Sequence, residues 1–462
     1  MDPMELPDDM ITEVLRRLPP RSLAACRRVC RSWRAVVDDR RLLREDLLPL
    51  SLAGIFLNLH DLYPTQFFSC PSATGPAVSG NVDYTRRRSS LPDGHMPSIN
   101  ITDHCNGLVL VNNCVTNPAT RRWERLPRRH PRHVARTAAA RFNAVHEHLV
   151  FDPAVSPRGY EVFLIPHVAP RESDRRRRRR DDEFYPTSDE SEWPPSPFFL
   201  SVFSSETRQW EGRRFVRDGP PAGTVASMRL HHASEVGRGV YWRGSLYIHC
   251  QTNFVMRISL SSDKYQVIGP PLSFDVCRYK EFHLGRSEKG VYFALLSSNQ
   301  LRIWFLEESC GQIGWVLKLD NNLMPILPHF IDVKLSDDGP WSLQDIDYCE
   351  DPNEDDDARS QTVQAAYYDW DFDNSANSID IQDNSVQGSH RGFGFLGFHP
   401  FKEVVFLHYS LERGLAYNMN SFKVQDLGNL CPKDYGFDTE PYVESFFPYT
   451  PCWMEVFPEE QT

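Results

Sequence analysis

The chain has 462 residues, of which 40% are hydrophobic and 12% aromatic, and its formal net charge is −11. This length exceeds one ordinary domain, and the apolar content is ample for a sizeable core. The acidic balance argues against a general nucleic-acid binder. The aromatic content and the 35 prolines favour short strands with frequent turns over long helices.

The sequence also limits the cellular compartments in which we expect the protein. The start, Met-Asp-Pro-Met-Glu, has no apolar stretch, so we expect no secretory signal peptide. The longest apolar run, residues 47–59, is interrupted by Pro49, Ser51 and Asn58, and therefore predicts no membrane span. The 11 cysteines form no CxxC pair and are typical of reduced thiols inside the cell. We expect a soluble protein of the cytoplasm, the nucleus or both.

The first forty-odd residues predict three short helices. In the first helix, one apolar face consists of Met10, Ile11, Val14, Leu15 and Leu18. Asp8 or Asp9 can cap this helix, and Pro19-Pro20 ends it. Ser22 can cap a second helix, whose apolar register comprises Leu23, Cys26, Val29 and Cys30 and runs on through Trp33, Val36 and Val37. Helices of this size bury too little surface to be very stable alone, so they form either a small cap or a docking module.

The residues of this segment resemble the F-box. The resemblance covers residues 5–42 without a gap and is carried by Leu6-Pro7-Asp8-Asp9, Leu18-Pro19-Pro20 and Val29-Cys30-Arg31-Ser32-Trp33. It implies a helical module that binds a Skp-type adaptor and, through it, the cullin and RING subunits of an SCF ubiquitin ligase. The adaptor contacts implied by the resemblance are Leu6, Pro7, Ile11, Leu15, Leu18, Leu23, Val29 and Trp33. Trp33 equally fits the module's own core.

Beyond Pro49 the helical period fades and a weak repeat appears, consisting of a strand, a polar turn and a strand with an early aromatic residue. Its aromatic positions are Trp123, Trp210, Tyr265, Trp315 and Phe422. Asn-Pro, Ser-Ser and Ser-Asp supply the turns. Further strand signals precede each unit, so each offers about four short antiparallel strands, as in one propeller blade.

Two segments interrupt the spacing of these aromatic residues. Residues 171–192 contain the run Arg175 to Arg180, and residues 345–390 are rich in Asp, Asn and Ser. Such charge blocks do not fold alone, so we interpret them as inserted loops. The arginine run is either a nuclear-import or phosphate-binding patch, or a solvated loop.

This second region resembles the F-box-associated, kelch-like propellers found in plants. The resemblance is carried by residues 105–110, Cys-Asn-Gly-Leu-Val-Leu, and residues 117–123, Asn-Pro-Ala-Thr-Arg-Arg-Trp. The predicted fold is a small all-α module at residues 1–45 followed by an all-β propeller at residues 50–458. Six blades are favoured, with seven or eight possible. A sixth blade would combine residues 53–58 with residues 442–457.

No motif predicts catalysis, a metal or a cofactor. Gly392-Phe-Gly-Phe-Leu-Gly397 matches GxGxxG, but His399-Pro400 and a strand follow where a dinucleotide site needs a helix. His146-Glu147-His148 and His231-His232 lack the spacing of metal-binding motifs. No GxSxG or Walker sequence is present.

The sequence therefore predicts a non-catalytic substrate receptor of an SCF-type ligase, whose propeller binds an unknown protein and which has no membrane partner. The alternative is an F-box scaffold that binds partners without promoting ubiquitin transfer. A propeller enzyme is the third hypothesis, and it lacks candidate residues.

Overall fold

The following residues are described by a computed structural model: 8–18, 23, 26, 29–40, 42, 52–69, 78–82, 99–128, 144–168 except 154 and 157, 189–229, 238–272, 282–309, 312–326, 339–344, 378–379, 392–432, and 442–457 except 455. Most of both predicted inserted loops, 171–192 and 345–390, lies outside these residues, as does the run Arg175 to Arg180. None of the helices described is long and apolar enough to cross a membrane.

Helices are concentrated at the start of the chain, in what we call the N-terminal module (described residues 8–42). Helix α1 spans Asp8–Arg16 and helix α2 spans Arg31–Asp39, with Leu23 and Cys26 helical between them. The buried side chains of the module are Leu15, Leu23, Val36, Val37 and Leu42. A 3.0 Å ion pair between Arg40 and Asp9 joins the end of α2 to the start of α1.

Short antiparallel strands make up most of the remaining described chain and form six groups of four hydrogen-bonded strands, which we call blades 1 to 6. Blade 1 comprises β3 (Ile101–Cys105), β4 (Leu108–Val111), β5 (Cys114–Asn117) and β6 (Arg122–Arg125). Blade 2 comprises β7 (Ala144–Phe151), β8 (Tyr160–His167), β10 (Phe198–Ser204) and β11 (Gln209–Arg217). Blade 3 comprises β13 (Gly239–Trp242), β14 (Ser245–His249), β15 (Val255–Ser259) and β16 (Lys264–Ile268).

Three further blades complete the set. Blade 4 comprises β17 (Phe282–Ser287), β18 (Gly290–Ser297), β19 (Gln300–Ser309) and β20 (Gln312–Asn322). Blade 5 comprises β23 (Phe393–Phe398), β24 (Val404–Tyr409), β25 (Arg413–Asn418) and β26 (Val424–Asn429), with β22 (Ser378–Ile379) paired outside β26. Blade 6 comprises β27 (Val443–Tyr449), β1 (Gly54–Leu59), β2 (Leu62–Ser69) and β21 (Ser342–Leu343).

Smaller elements connect the blades. Strands β9 (Glu192–Trp193) and β12 (Gly223–Thr224) pair with each other beside the short helix α3 (Val225–Met228). The outer strands of blades 2 and 3 also pair in parallel, with Val216 opposite Lys264, so these two blades form one eight-stranded sheet.

Several hairpins owe their shape to two-residue turns with positive φ at both positions. These turns are Asn106-Gly107, Asn112-Asn113, Arg243-Gly244 and Ser298-Asn299. Such turns match the right-handed twist of the flanking strands, and Asn and Gly adopt them at little steric cost. The local sequence therefore sets the register of these hairpins.

The aromatic residues of the predicted repeat differ in their packing. Trp210 and Tyr265 are buried, and Trp123 and Trp315 are half-buried. Phe422, by contrast, lies in a turn at φ 60° and is 46% exposed, while the next strand begins at Val424, which is fully buried. The expectation that Phe422 anchors the fifth unit is therefore wrong, because an aliphatic residue fills that place.

Blade 6 combines strands from the beginning and the end of the propeller, as predicted for residues 53–58 and 442–457. Strand β1 pairs antiparallel with β27, and Gly54 lies opposite Tyr449 while Leu59 lies opposite Val443. The buried amide of Asn58 donates to the Ser445 hydroxyl at 2.7 Å. Residues 452–457 add no strand but bury Cys452, Met454, Val456 and Phe457.

The inner strands of the six blades, β3, β7, β13, β17, β23 and β27, contact one another in that order, and β27 returns to β3. They run in the same direction, because contacts advance together along neighbouring strands. Asp103 and Cys105 contact Leu149 and Phe151, and Phe395 and Gly397 lie against Phe446 and Pro448. The ring closes with six blades, the favoured number.

Glycines allow neighbouring inner strands to approach closely. A Cβ at Gly239 would overlap the His148 ring, and one at Gly285 would overlap the Phe398 ring. Gly397, at φ 122°, lies against Pro448 of the next blade. The GxGxxG match at residues 392–397 is therefore strand β23 and the close contact that follows it, and no helix begins there.

Candidate functional site

The inner strands enclose a cavity of about 900 Å³ on the axis of the ring. All six blades contribute to its wall, including Asp103 to Gly107, Val145 to Glu147, Arg238 to Tyr241, Leu284 to Arg286, Gly397 to Phe398 and Tyr442 to Pro448. This volume lies within the range of known ligand sites, which are usually concave and only partly polar. The channel is therefore the candidate binding site of the propeller.

Two arginines bring positive charge to this wall. Arg238 precedes β13, and its guanidinium lies over the Phe446 ring, 3.8 Å from the centroid. Arg286 belongs to β17 and donates to the amide oxygen of Asn106 at 2.6 Å, so it reaches across the ring to blade 1. Both guanidinium groups line the cavity.

Three carboxylates share the same wall in different environments. Asp103 is buried and accepts the backbone N–H of Leu149 at 2.7 Å. Glu147 is half-buried on β7, and Glu444 is exposed and lies 2.9 Å from Nδ1 of His60. The cavity thus combines charges of both signs.

Buried histidines surround the channel in their neutral form. Burial, reinforced by Arg238 and His249, holds the pKa of His283 well below its ordinary value. Burial also lowers the pKa of His104, an effect that Asp103 opposes and Arg286 reinforces. Removing a charged imidazole from water is unfavourable, so these rings act as polar packing groups at neutral pH.

The sequence His146-Glu147-His148 does not form a metal site among the described residues. His146 packs on His167 with ring centroids 4.5 Å apart, and burial lowers its pKa to about 3. His148 is fully buried between Gly239 and Asp103. Within the described ranges no three His, Cys, Asp or Glu side chains are placed to hold a metal ion. His231-His232 lies outside the described residues.

The buried thiol of Cys105 is a poor nucleophile. Burial raises its pKa to about 12, and Phe151 donates its backbone N–H to the sulfur at 3.3 Å. A thiol reacts as the thiolate, which this environment disfavours.

The N-terminal module presents a second candidate surface. Met10 and Val14 are 57% and 60% exposed, and as i, i+4 neighbours they share one face of α1. Val29, before α2, is 65% exposed. Neighbouring exposed apolar side chains such as Met10 and Val14 are typical of protein-binding surfaces.

Comparison with known proteins identifies this module. The F-box domain model matches residues 4–45. Residues 4–45 are an F-box domain.

Similar proteins carry the same domain. The chain is 31% identical over 121 residues to an Arabidopsis thaliana F-box/kelch-repeat protein, a match that covers 25% of this chain and 31% of that protein. It is 31% identical over 131 residues to the Arabidopsis thaliana F-box protein ETP1, covering 25% of this chain and 28% of that protein. A third Arabidopsis thaliana F-box protein is 40% identical over 57 residues, which is 12% of this chain and 16% of that protein. The matches span about a third or less of each relative.

The predicted adaptor contacts that the structure describes are buried, half-buried or exposed. Leu6 and Pro7 lie outside the described residues. Leu15 and Leu23 are buried at 1% and 0% exposure, whereas Val29 is open to solvent. The half-buried members are Ile11, Leu18 and Trp33. Leu15 and Leu23 thus lie in the hydrophobic core of this conformation and not on its surface.

Sequence reasoning missed several surface and channel residues. Met10 and Val14 were grouped with the apolar face of α1, although their exposure separates them from Leu15. Arg238, Arg286 and Glu444 carry no local motif and meet only in the ring, so no sequence signal distinguishes them.

Proposed function

We propose that this chain is the substrate-recognition subunit of an SCF-type ubiquitin ligase. The observation that carries the proposal is the combination of an F-box domain at residues 4–45 with a propeller-like ring that encloses a partly polar cavity. In this role the F-box binds a Skp-type adaptor, and the propeller binds a protein substrate.

The mechanism is proximity. The adaptor links the chain to cullin and RING subunits, and the bound substrate then lies at high effective concentration near the ubiquitin-charged enzyme. The chain itself needs no catalytic group, because the transferred thioester belongs to another subunit. We therefore propose a non-enzymatic receptor.

We propose that the exposed face of α1 contributes to the adaptor contact. Met10 and Val14 supply apolar area that is available without rearrangement, and Val29 adds a third exposed side chain. Leu15 and Leu23 are buried in the core, while Leu6, Pro7, Ile11, Leu18 and Trp33 remain proposed contacts.

The test is adaptor binding by the full chain with Met10→Ser and Val14→Ser combined. Full burial of one such side chain is worth about 1.5–3 kcal/mol, and 1.4 kcal/mol is about tenfold in affinity. We expect affinity to fall at least tenfold, with an unchanged melting temperature.

The matched control on the same helix is Glu13→Gln with Arg17→Gln, which removes an exposed 2.9 Å ion pair and should change little. Leu15→Ala should lower stability as well as binding, because Leu15 is in the core. Unchanged adaptor binding in the Met10/Val14 variant would exclude this face from the contact.

The alternative is an F-box scaffold that does not promote ubiquitin transfer. Purifying the adaptor complex from cells and testing for cullin in the same complex separates the two functions. Proximity labelling with the full chain and with a form lacking residues 1–45 then identifies candidate substrates. Receptor function predicts that some labelled proteins are stabilised when residues 1–45 are absent.

A further inference from the structure

The two ends of the channel differ in their connection to the F-box. The chain passes from the F-box into β1, whose first residue, Gly54, pairs with Tyr449 at the end of β27. The F-box is therefore attached where the inner strands finish, beside Asn106 and Thr450. We call this the module end and the opposite one, beside Arg238 and Glu444, the free end.

The F-box also packs against the propeller. One cluster of buried side chains includes Leu15 and Leu23 of the F-box together with Cys105, Leu108 and Cys452 near the module end. The F-box thus shares a hydrophobic cluster with the propeller, and this cluster extends as far as Val168 and Phe254 at the free end.

Strand connections divide in the same way. At the module end, short turns join consecutive strands, at residues 106–107, 118–121, 205–208, 243–244, 260–263 and 288–289. Two-residue turns also occur at the free end, at 112–113 and 298–299. Most longer connections between blade strands begin and end there, at 126–143, 168–197, 218–238, 269–281 and 430–442, whereas 70–100 begins at the module end, where β2 finishes opposite Gly54. Long connections are where binding proteins usually vary their recognition surface. The free end therefore has most of the longer connections.

The dimensions of the channel suit an extended peptide. Its wall includes Tyr442 to Pro448 and Thr450, so it follows β27 over its whole length. At about 3.3 Å per residue this is roughly 25 Å, the length of seven to eight extended residues.

Charge differs along that length. Glu147 and Glu444 lie towards the free end, because β7 and β27 begin there. Arg238 lies at the same end, where its guanidinium covers the Phe446 ring, so the two carboxylates outnumber this one cation. Arg286 lies near the module end, since it bonds Asn106 just beyond the end of β3. The distance from the level of Glu444 to that of Tyr449, beside Gly107, is five residues of strand, or roughly 17 Å.

We propose that the channel receives an extended segment of the substrate protein through its free end. An acidic side chain of that segment reaches Arg286, and a basic side chain about five residues away pairs with Glu147 and Glu444. This assignment rests on the proposed receptor function and specifies the chemistry of its substrate. Arginine suits the deep position because its planar guanidinium binds a carboxylate through two parallel hydrogen bonds.

The test measures binding of synthetic ten-residue peptide pools to the full chain in complex with its adaptor. One pool carries Asp and Lys five residues apart, in both orders, with the remaining positions randomised among Ala, Leu, Ser and Tyr. Two matched pools replace Asp by Asn or Lys by Gln. We expect the Asp/Lys pool to bind at least tenfold more tightly than either matched pool.

Variants assign each preference to its residue. Arg286→Gln should abolish the preference for Asp while keeping that for Lys, and Arg286→Lys should restore part of it. Glu147→Gln with Glu444→Gln should have the opposite effect. Arg302→Gln, on the outer strands of blade 4 where Arg302 bonds Asp320, is the control and should change neither.

The outcomes separate this inference from the receptor function. Adaptor binding and melting temperature are measured on every sample, so misfolding is recognised directly. No pool preference in the wild-type complex, or a preference that survives both Arg286→Gln and the double glutamate variant, overturns the channel assignment. Peptide binding without ubiquitin transfer in the reconstituted ligase would retain the channel and reject the receptor function.

Discussion

The F-box and the propeller differ in the range over which their residues meet. In the F-box, the ion pair between Arg40 and Asp9 spans 31 positions. In blade 6, the hydrogen bond between Asn58 and Ser445 spans 387 positions. Local contacts form early and need little of the chain, whereas non-local pairing has to close a long loop. The F-box can therefore be recognised from one continuous stretch of sequence. The propeller fold, by contrast, requires strands from both ends of its segment of the chain.

The largest effect should come from removing residues 440–462. This deletion takes away β27, the inner strand of blade 6, together with buried Phe447, Tyr449, Cys452, Met454, Val456 and Phe457. Burial of one such side chain is worth about 1.5–3 kcal/mol, so the loss is comparable with a typical total stability of about 5–15 kcal/mol. The open ring would also expose strand edges, which promotes aggregation. We expect insoluble protein on expression.

Two controls sharpen that result. Deleting residues 458–462 alone should leave a soluble chain, because the buried residues remain. The isolated residues 1–45 should still bind the adaptor. A soluble 1–439 fragment with a cooperative melting transition would show that the ring does not need β27.

The same contrast explains how far the sequence could be interpreted. Apolar periodicity and the Leu-Pro and Trp motifs predicted the F-box, and paired turns with aromatic residues predicted most blades. Blade 6 could be expected because the strand signal at residues 53–58 precedes the first repeat, while residues 442–457 follow the last one. The channel could not be predicted from the sequence, because Arg238, Glu147 and Glu444 lie on three different blades and meet only after the ring closes.

Periodicity also could not separate the two sides of α1. Leu15 is buried while Val14, its neighbour, is 60% exposed, and both are aliphatic. Which of them faces the core depends on where α2 and the segment around Leu23 pack. That information lies in tertiary contacts, so the division between the core and the proposed adaptor surface needed the structure.

The next largest effect should come from lowering the pH, which should destabilise the propeller and not the F-box, because all 16 histidines lie outside residues 1–45. Burial lowers the pKa of His399 to about 3 and that of His408 to about 4. Because the folded-state pKa is lowered, unfolding takes up protons below the unfolded-state pKa of about 6.5. The contribution of each histidine to the free energy of unfolding is therefore fully present above pH 6.5 and is lost as the pH falls towards the folded-state pKa. At pH 5 each such histidine should cost about 2 kcal/mol.

Urea unfolding of the full chain at pH 7 and pH 5 measures this effect. We expect a clearly lower midpoint at pH 5 for the propeller transition, since several histidines contribute. Adaptor binding by residues 1–45 should change little over the same interval. Equal midpoints at the two pH values would contradict neutral burial of these rings.

A smaller effect should follow from crowding two blades. Gly285→Ala places a Cβ against the Phe398 ring of the neighbouring inner strand. Overpacking of this kind usually costs about 1–3 kcal/mol. Gly314→Ala in β20 is the matched control, because no atom lies within 4 Å of the added Cβ. Thermal unfolding should show a loss for Gly285→Ala and almost none for Gly314→Ala, and equal losses would mean that the blades do not approach closely there.

The smallest effect on stability should come from replacing Arg175 to Arg180 by Ser. This run lies between β8 and β9 in the sequence, and β8 already pairs directly with β10, from Leu164 opposite Ser201 to Glu161 opposite Ser204. Six adjacent like charges repel one another and contribute no apolar burial, so the melting temperature should move by no more than about 1–2 °C.

The matched control replaces Asp181, Asp182 and Glu183 by Ser, which changes charge in the opposite sense. If the run is an import signal, the nuclear fraction of a fluorescently tagged chain falls in the arginine variant and not in the control. A drop of 5 °C or more would instead show that this local charge block, like blade 6, holds distant parts of the chain together.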